Sequence, residues 1–198
     1  MNAFLRATSV IDHDHPEVRA LATELSDGTS DPTVTTKRGF EWVRDEIRHS
    51  GDFRMNPTTC DASEVLRHRT GYCYAKSHLL AALLRANSIP AGFCYQRLAR
   101  NGRTAPYVLH GLNAVHLPEF GWYRIDARGN KANVNAQFVP PTEQLAWPIA
   151  VEGEADLPEI WPDPLPVIVE TLRKHDTYDR AAENLPDIPL IHPKQQEA

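Results

Sequence analysis

The stretch RTGYCYAKSHLLAALLRANSIP, residues 69–90, sets a cysteine between a glycine-containing turn and a long apolar run. From Cys73 to about Ala86, the residues Ala75, Leu79, Ala82, Leu83 and Ala86 recur at helical spacing, and Leu80 and Leu84 widen the stripe. So broad an apolar face predicts a central helix buried on most of its sides. Asn87 is a helix-stop residue and Pro90 blocks easy continuation. Cys73 then stands in the first turn, where free backbone N–H groups and the positive end of the helix dipole favour an anionic sulfur. Whether it reacts or merely packs depends on what the rest of the chain brings to it.

Upstream, HPEVRALATEL reads as a helix with Pro16 in its first turn and Val18, Leu21 and Leu25 on one face. Asp31-Pro32 offers an N-cap and first position for a second helix carrying Phe40, Val43 and Ile47 and running to about His49. Asp61 and Glu64 have capping-box spacing for a short helix before RTGY. Asp12, His13, Asp14 and His15 invite a metal reading, but adjacent residues diverge in direction, and the reading taken is an N-cap before Pro16.

Downstream the apolar period changes from near four to two. AGFCYQRLA, YVLHGLNAVHL and GWYRIDA are strand-like runs parted by RNGRTAP and PEFG, which predicts antiparallel strands following the helix. Beyond Asn130, proline recurs too often for long regular elements. Residues 131–198 read as an arm laid over the core, ending in a helix from about Leu165 to Lys174 with Val167, Ile168 and Leu172. The expectation is one α+β domain over 1–198, its core at about 60–130.

A hydrophobic content of 41% and a charged content of 24% exclude the disordered and fibrous classes. No apolar run is long enough for a membrane helix, and MNAFLRATSVIDHDHP lacks the order of a signal peptide, so the cytoplasm is expected and a membrane partner is not. Three cysteines without a Cys-x-x-Cys pair point to reduced thiols, with a Cys60–Cys94 bridge left to geometry. The net charge of −5 hides an asymmetry: residues 60–131 hold ten Lys/Arg against four Asp/Glu, and the remainder eleven against twenty-two. Opposite signs facing each other across the fold account for this, and a locally positive cleft suited to an anionic substrate is the other reading. Nucleic acid is not expected as a partner.

A nucleophilic cysteine needs a base, and the base needs a third group to hold its orientation. His110 and Asp126 lie on successive strand runs. A turn centred on Pro118 would set them side by side, whereas PEFG is centred one or two residues later and offsets them, so that a bulge or bent strand is expected to restore the contact. His116 shares a strand face with His110 and is the rival base. Asp126 by itself also reads as a turn residue before ARGN, and its claim to the site depends on Cys73 and His110. Trp122 reads as packing rather than substrate contact, Ser77 as a helix serine bonding its own backbone or lining a cleft, and Cys60 and Cys94 as structural.

These residues resemble the transglutaminase-like superfamily. The resemblance runs over 60–126, with Gly71-Tyr72-Cys73 opening a helix, LLRANSIPA at 83–91, His110 on a strand, and Gly121-Trp122 on a strand ending in Asp126. The two upstream helices and IDHDHP are also similar to bacterial members. It implies a papain-like fold and a Cys-His-Asp site, with Cys73 forming a thioester that passes to water or an amine, His110 acting as base and acid, and Asp126 orienting it. It further implies an oxyanion hole of the Cys73 N–H and an upstream donor, for which His49 is offered by its position ahead of the core. Many members carry His-Ala-Trp where this chain has His110-Gly111-Leu112. No calcium-binding acidic cluster of the animal enzymes is evident, and neither metal nor cofactor is expected. The implied activity is that of a cysteine-type peptidase, amidase or transamidase acting on a peptide, protein or small amide. Hydrolysis is preferred to transfer because no amine site is legible. A catalytically inactive peptide-binding or scaffold domain of the same fold is the alternative, and an acyltransferase using a small thioester donor is a third reading.

Overall fold

The computed structural model describes residues 1–189. Proline sets the first two helix starts, since a missing N–H costs nothing in a first turn. Pro16 opens α1 (Pro16–Ser26) and Pro32 opens α2 (Pro32–Glu46), where the Asp31 carboxylate accepts the Thr33 N–H at 2.8 Å. The helix α2 stops at Glu46, short of the expected His49, because the next residues extend into β1 (Arg48–His49). There follow α3 (Ser50–Phe53) and α4 (Ala62–His68), then β2 (Thr70–Gly71), which pairs in parallel with β1. Glu64 reaches back to the N–H of Asp61 at 3.3 Å, as the capping-box spacing predicts. Asp12 does not cap α1. A backbone bond from Ala62 to Val10 draws it to α4 instead, where it accepts the Ser63 N–H at 3.0 Å.

The central helix α5 spans Cys73–Ala86, as predicted, and every residue from Cys73 to Arg85 is buried. Leu79, Leu80, Leu83 and Leu84 are all but fully covered, and each leucine so buried stabilises by roughly 1.5–3 kcal/mol. Lys76, His78 and Arg85 are covered as well, which an apolar stripe does not predict. They are tolerated because each finds a buried carbonyl. Lys76 donates to Arg44 O and Ile47 O, the His78 ring meets Cys60 O at 2.7 Å, and Arg85 binds Ala91 O, Arg6 O and Pro162 O. Gly71 lies just before this helix, and a Cβ there would stand 3.0 Å from that of Ala75.

The strands β3 (Ala91–Ala99), β4 (Tyr107–Leu117) and β5 (Gly121–Ile125) form the antiparallel succession that the alternation predicts. Next come a small hairpin, β6 (Gln137–Val139) with β7 (Thr142–Gln144), and then β8 (Ala155–Asp156). The main sheet runs β5-β4-β3-β8, so the arm does more than lie over the core: it supplies a sheet strand. It continues into α6 (Pro166–Lys174) and α7 (Tyr178–Glu183), the second of which has no counterpart in the sequence reading. The end of the predicted arm, 190–198, lies outside the described residues. On β4, Gly111 and Asn113 face α5: Asn113 Nδ2 donates to Ser77 O at 3.0 Å. His110, Leu112 and His116 therefore alternate to the opposite face. Among the described residues no helix is long and apolar enough to cross a membrane. Helices on one side of an antiparallel sheet make the fold α+β.

Candidate active site

The β4–β5 ladder runs without interruption from Leu117 opposite Gly121 to Asn113 opposite Ile125. Continued by one residue, it sets Asp126 against Leu112, two positions from His110. The two share a face, and a diagonal of roughly 7–8 Å between Cα atoms is within reach of long side chains. His110 spans it, its Nε2 lying 2.7 Å from Asp126 Oδ2. Of the bulge or bent strand expected to restore the contact, no bulge interrupts this ladder.

Asp126 is 1% exposed and accepts two further backbone hydrogen bonds, from Ala146 at 3.0 Å and Arg128 at 3.1 Å. Burial opposes its charge. The attraction of the His110 imidazolium and the three donors outweigh that cost and hold the carboxyl below its usual range. With Nε2 donating to this carboxylate, Nδ1 is the nitrogen left for another partner, and His110 shares the lining of one cleft with Cys73. Burial again works against the charged ring, but Asp126, by charge and by hydrogen bond, together with the neighbouring Cys73, raises the His110 pKa to about 10.

Cys73, 7% exposed, and His110 open on one cleft of about 420 Å³. Tyr72, Leu98, Val108, Trp147 and Leu185 give it apolar walls, while His49, Arg100 and Arg128 also contribute to its lining. The rival base is elsewhere: the His116 ring packs edge-on against Trp122 at 5.4 Å, and Trp122 in turn meets Phe4 at 4.7 Å. Ser77 Oγ donates to Cys73 O at 2.8 Å, within its own helix. All three cysteines are free, so no Cys60–Cys94 bridge exists, and burial pushes both of those thiols up to about 12. No cluster of potential metal ligands occurs among the described residues.

Three parts of this constellation were not legible in the sequence. The Trp147 edge stands on the His110 ring at 4.8 Å, and the Arg128 guanidinium lies 4.8 Å over the indole. An indole thus packs against the imidazole, although from the arm rather than from the residues after His110. The place of Gly111 has its own reason, because a Cβ there would stand 2.7 Å from Tyr74 Cδ1 and 3.3 Å from Tyr74 Cα. Asp52 is the third. Despite the cost of burial, hydrogen bonds from Arg128 and Lys131 lower its pKa to about 2, so the rim beside His49 carries a fixed ion cluster.

The profile of the Transglutaminase-like superfamily matches residues 19–127, which takes in both upstream helices as well as the stretch bearing Cys73, His110 and Asp126. Among solved structures, a candidate cysteine protease from Cytophaga hutchinsonii aligns with a TM-score of 0.51 at 21% identity, over 63% of this chain and 40% of that one. The periplasmic domain of TgpA from Pseudomonas aeruginosa aligns with a TM-score of 0.47 at 25% identity, over 63% and 45%. The chain thus spans less than half the length of either, and no curated protein matches it. The likeness to the Cytophaga structure is one of fold, transglutaminase-like and papain-like. With more than half of its residues inside the profile, the chain belongs to the transglutaminase-like superfamily.

Proposed function

We propose that the protein cleaves or transfers the acyl group of an amide through a thioester on Cys73, with His110 as general base and acid and Asp126 as the orienting carboxylate. The observation that carries this reading is the 2.7 Å bond from the Asp126 carboxylate to the His110 imidazole, with that ring and Cys73 lining the same apolar cleft. The Cys73 sulfur, its proton carried on His110 Nδ1, bonds to the carbonyl carbon as the π pair moves onto oxygen. Collapse re-forms the carbonyl and breaks the C–N bond, and the leaving amine takes the proton from His110. A water or acceptor amine then gives a proton to His110 and attacks the thioester carbon, and the C–S bond breaks to return the thiolate. The raised His110 pKa supports this sequence, since the imidazolium is the form that both ionic neighbours stabilise.

Hydrolysis is preferred to transfer because no group is identified as an amine site. A peptide, protein or small amide with an apolar acyl portion suits the walls. The cytoplasm is the compartment this reading takes, supported by three unpaired thiols. Cys73→Ala is expected to abolish turnover of peptide amides without changing the melting temperature. Iodoacetamide should modify Cys73 ahead of Cys60 and Cys94, whose buried thiols stay protonated at neutral pH. Equal labelling of the three would overturn the reading. The small exposure of Cys73 favours one competitor, a non-catalytic peptide-binding domain. Tight peptide binding by wild type and Cys73→Ala alike, with no turnover, would establish it.

A further inference from the structure

Besides Cys73 and His110, the cleft is lined by three side chains of fixed charge, Arg100, Arg128 and Glu154. Two of them are already occupied. Arg128 pairs with Asp52 and lies over the Trp147 indole. The Glu154 carboxylate accepts the N–H groups of Ala99 and Ala150, each at 2.9 Å, and of Val151 at 3.2 Å. Despite the cost of burial, those three donors lower its pKa, so it stays ionised. The Arg100 guanidinium has neither an ion pair nor a hydrogen bond among the described residues. Its backbone is nonetheless pinned, the N–H donating to Pro106 O at 2.9 Å.

The register of the sheet sets its distance from the base. Gln96 stands opposite His110 and Leu98 opposite Val108, and side chains alternate along a strand, so Leu98 and Val108 share the face of His110. Both line the cleft, which makes the next step outward from the base apolar. Arg100 follows Ala99, the last residue of β3. At about 3.3 Å per residue its backbone lies roughly 13 Å along the sheet from the level of His110. The cleft therefore presents a base, then an apolar wall, then a cation. Arginine's planar fork matches a carboxylate. A dianion suits the place less, because Glu154 keeps its charge on the same lining.

We infer that the cleft selects an acyl group that is apolar along its length and ends in a carboxylate bound by Arg100, a substrate class that rests on the thioester reading above. Arg100 is exposed, and an exposed ion pair is screened by water and salt. The selection is accordingly modest, about fivefold, and weakens as ionic strength rises.

Linear dicarboxylic half-acids, from glutaryl to sebacoyl, can be offered as 4-nitroanilides beside the same chains ending in a neutral carboxamide. The wild type should cleave the longer acids with a kcat/KM about fivefold above that of their carboxamides. Each preference is a ratio within one protein, so any loss of folded enzyme cancels. Arg100→Gln should abolish the preference and Arg100→Glu should invert it. Acid and carboxamide cleaved alike by the wild type, or a preference that survives Arg100→Gln, would overturn the selection and leave the Cys73 thioester intact. Protection needs no turnover: suberamic acid should slow the iodoacetamide alkylation of Cys73 more than suberamide does, and equal protection would count against Arg100. If no anilide is cleaved while suberamic acid still protects better, the thioester reading alone fails.

Discussion

His110 and Asp126 are each shifted in the direction of their mutual ion pair, and the shifts fix a pH window. The folded His110 pKa, raised to about 10, lies above its ordinary 6.5, so the stability it contributes is complete below 6.5 and is lost as the pH climbs through about 10. Asp126 is shifted the other way from an ordinary 3.8, so its contribution is complete above that value and is lost as the pH falls through the lowered one. The stability difference between wild type and Asp126→Asn should therefore be greatest from about pH 4 to 6.5 and shrink on either side. Denaturant melts across that range test this. In the same variant the ring titration of His110, followed by NMR, should fall from about 10 toward 6.5; an unchanged midpoint would show that the carboxylate does not hold the charge.

At the scale of elements, the sequence was read most securely where one periodicity dominated. The bounds of α5 and the three strands after it follow from an apolar stripe and an alternation, both local signals. The link between β4 and β5 was partly legible: the offset between His110 and Asp126 could be counted from the turn, but diagonal reach depends on side-chain length and sheet geometry. Gly111 belongs to this scale because it governs how closely α5 approaches β4. Gly111→Ala pushes a methyl against Tyr74, whose backbone Cα as well as its ring lies in the way. Overpacking of this kind costs about 1–3 kcal/mol. For a chain of this length that is a drop in melting temperature of roughly 2–12 °C. A variant as stable as wild type would mean that the helix can retreat from the strand.

Across the whole molecule, the arm is the part that the sequence concealed. Proline density correctly excluded long elements there, but no periodicity marks Ala155 and Asp156 as a sheet strand or Trp147 as a neighbour of His110. The charge asymmetry proved more legible. Basic residues of the central segment meet acids outside it: Arg97 lies 2.6 Å from Asp187, and Arg124 lies 2.7 Å from both Glu143 and Asp156. Arg85 ties the N-terminal segment, the sheet and the arm together through the carbonyls of Arg6, Ala91 and Pro162. We expect one cooperative unfolding transition, coincident by far- and near-UV circular dichroism. A chain ended after residue 130 should lose that transition, and independent melting of the shortened chain would refute the single-domain reading.

The clamp on Asp126 also orders events in time. A chain leaving the ribosome presents the sulfur, the imidazole and the carboxylate before it presents the Ala146 N–H and the Trp147 indole that lock them. At 5–20 residues per second the interval between Asp126 and Trp147 is about one to four seconds. During it the nascent polypeptide carries the sulfur, the imidazole and the carboxylate without the two contacts from the arm that fix the last two in place.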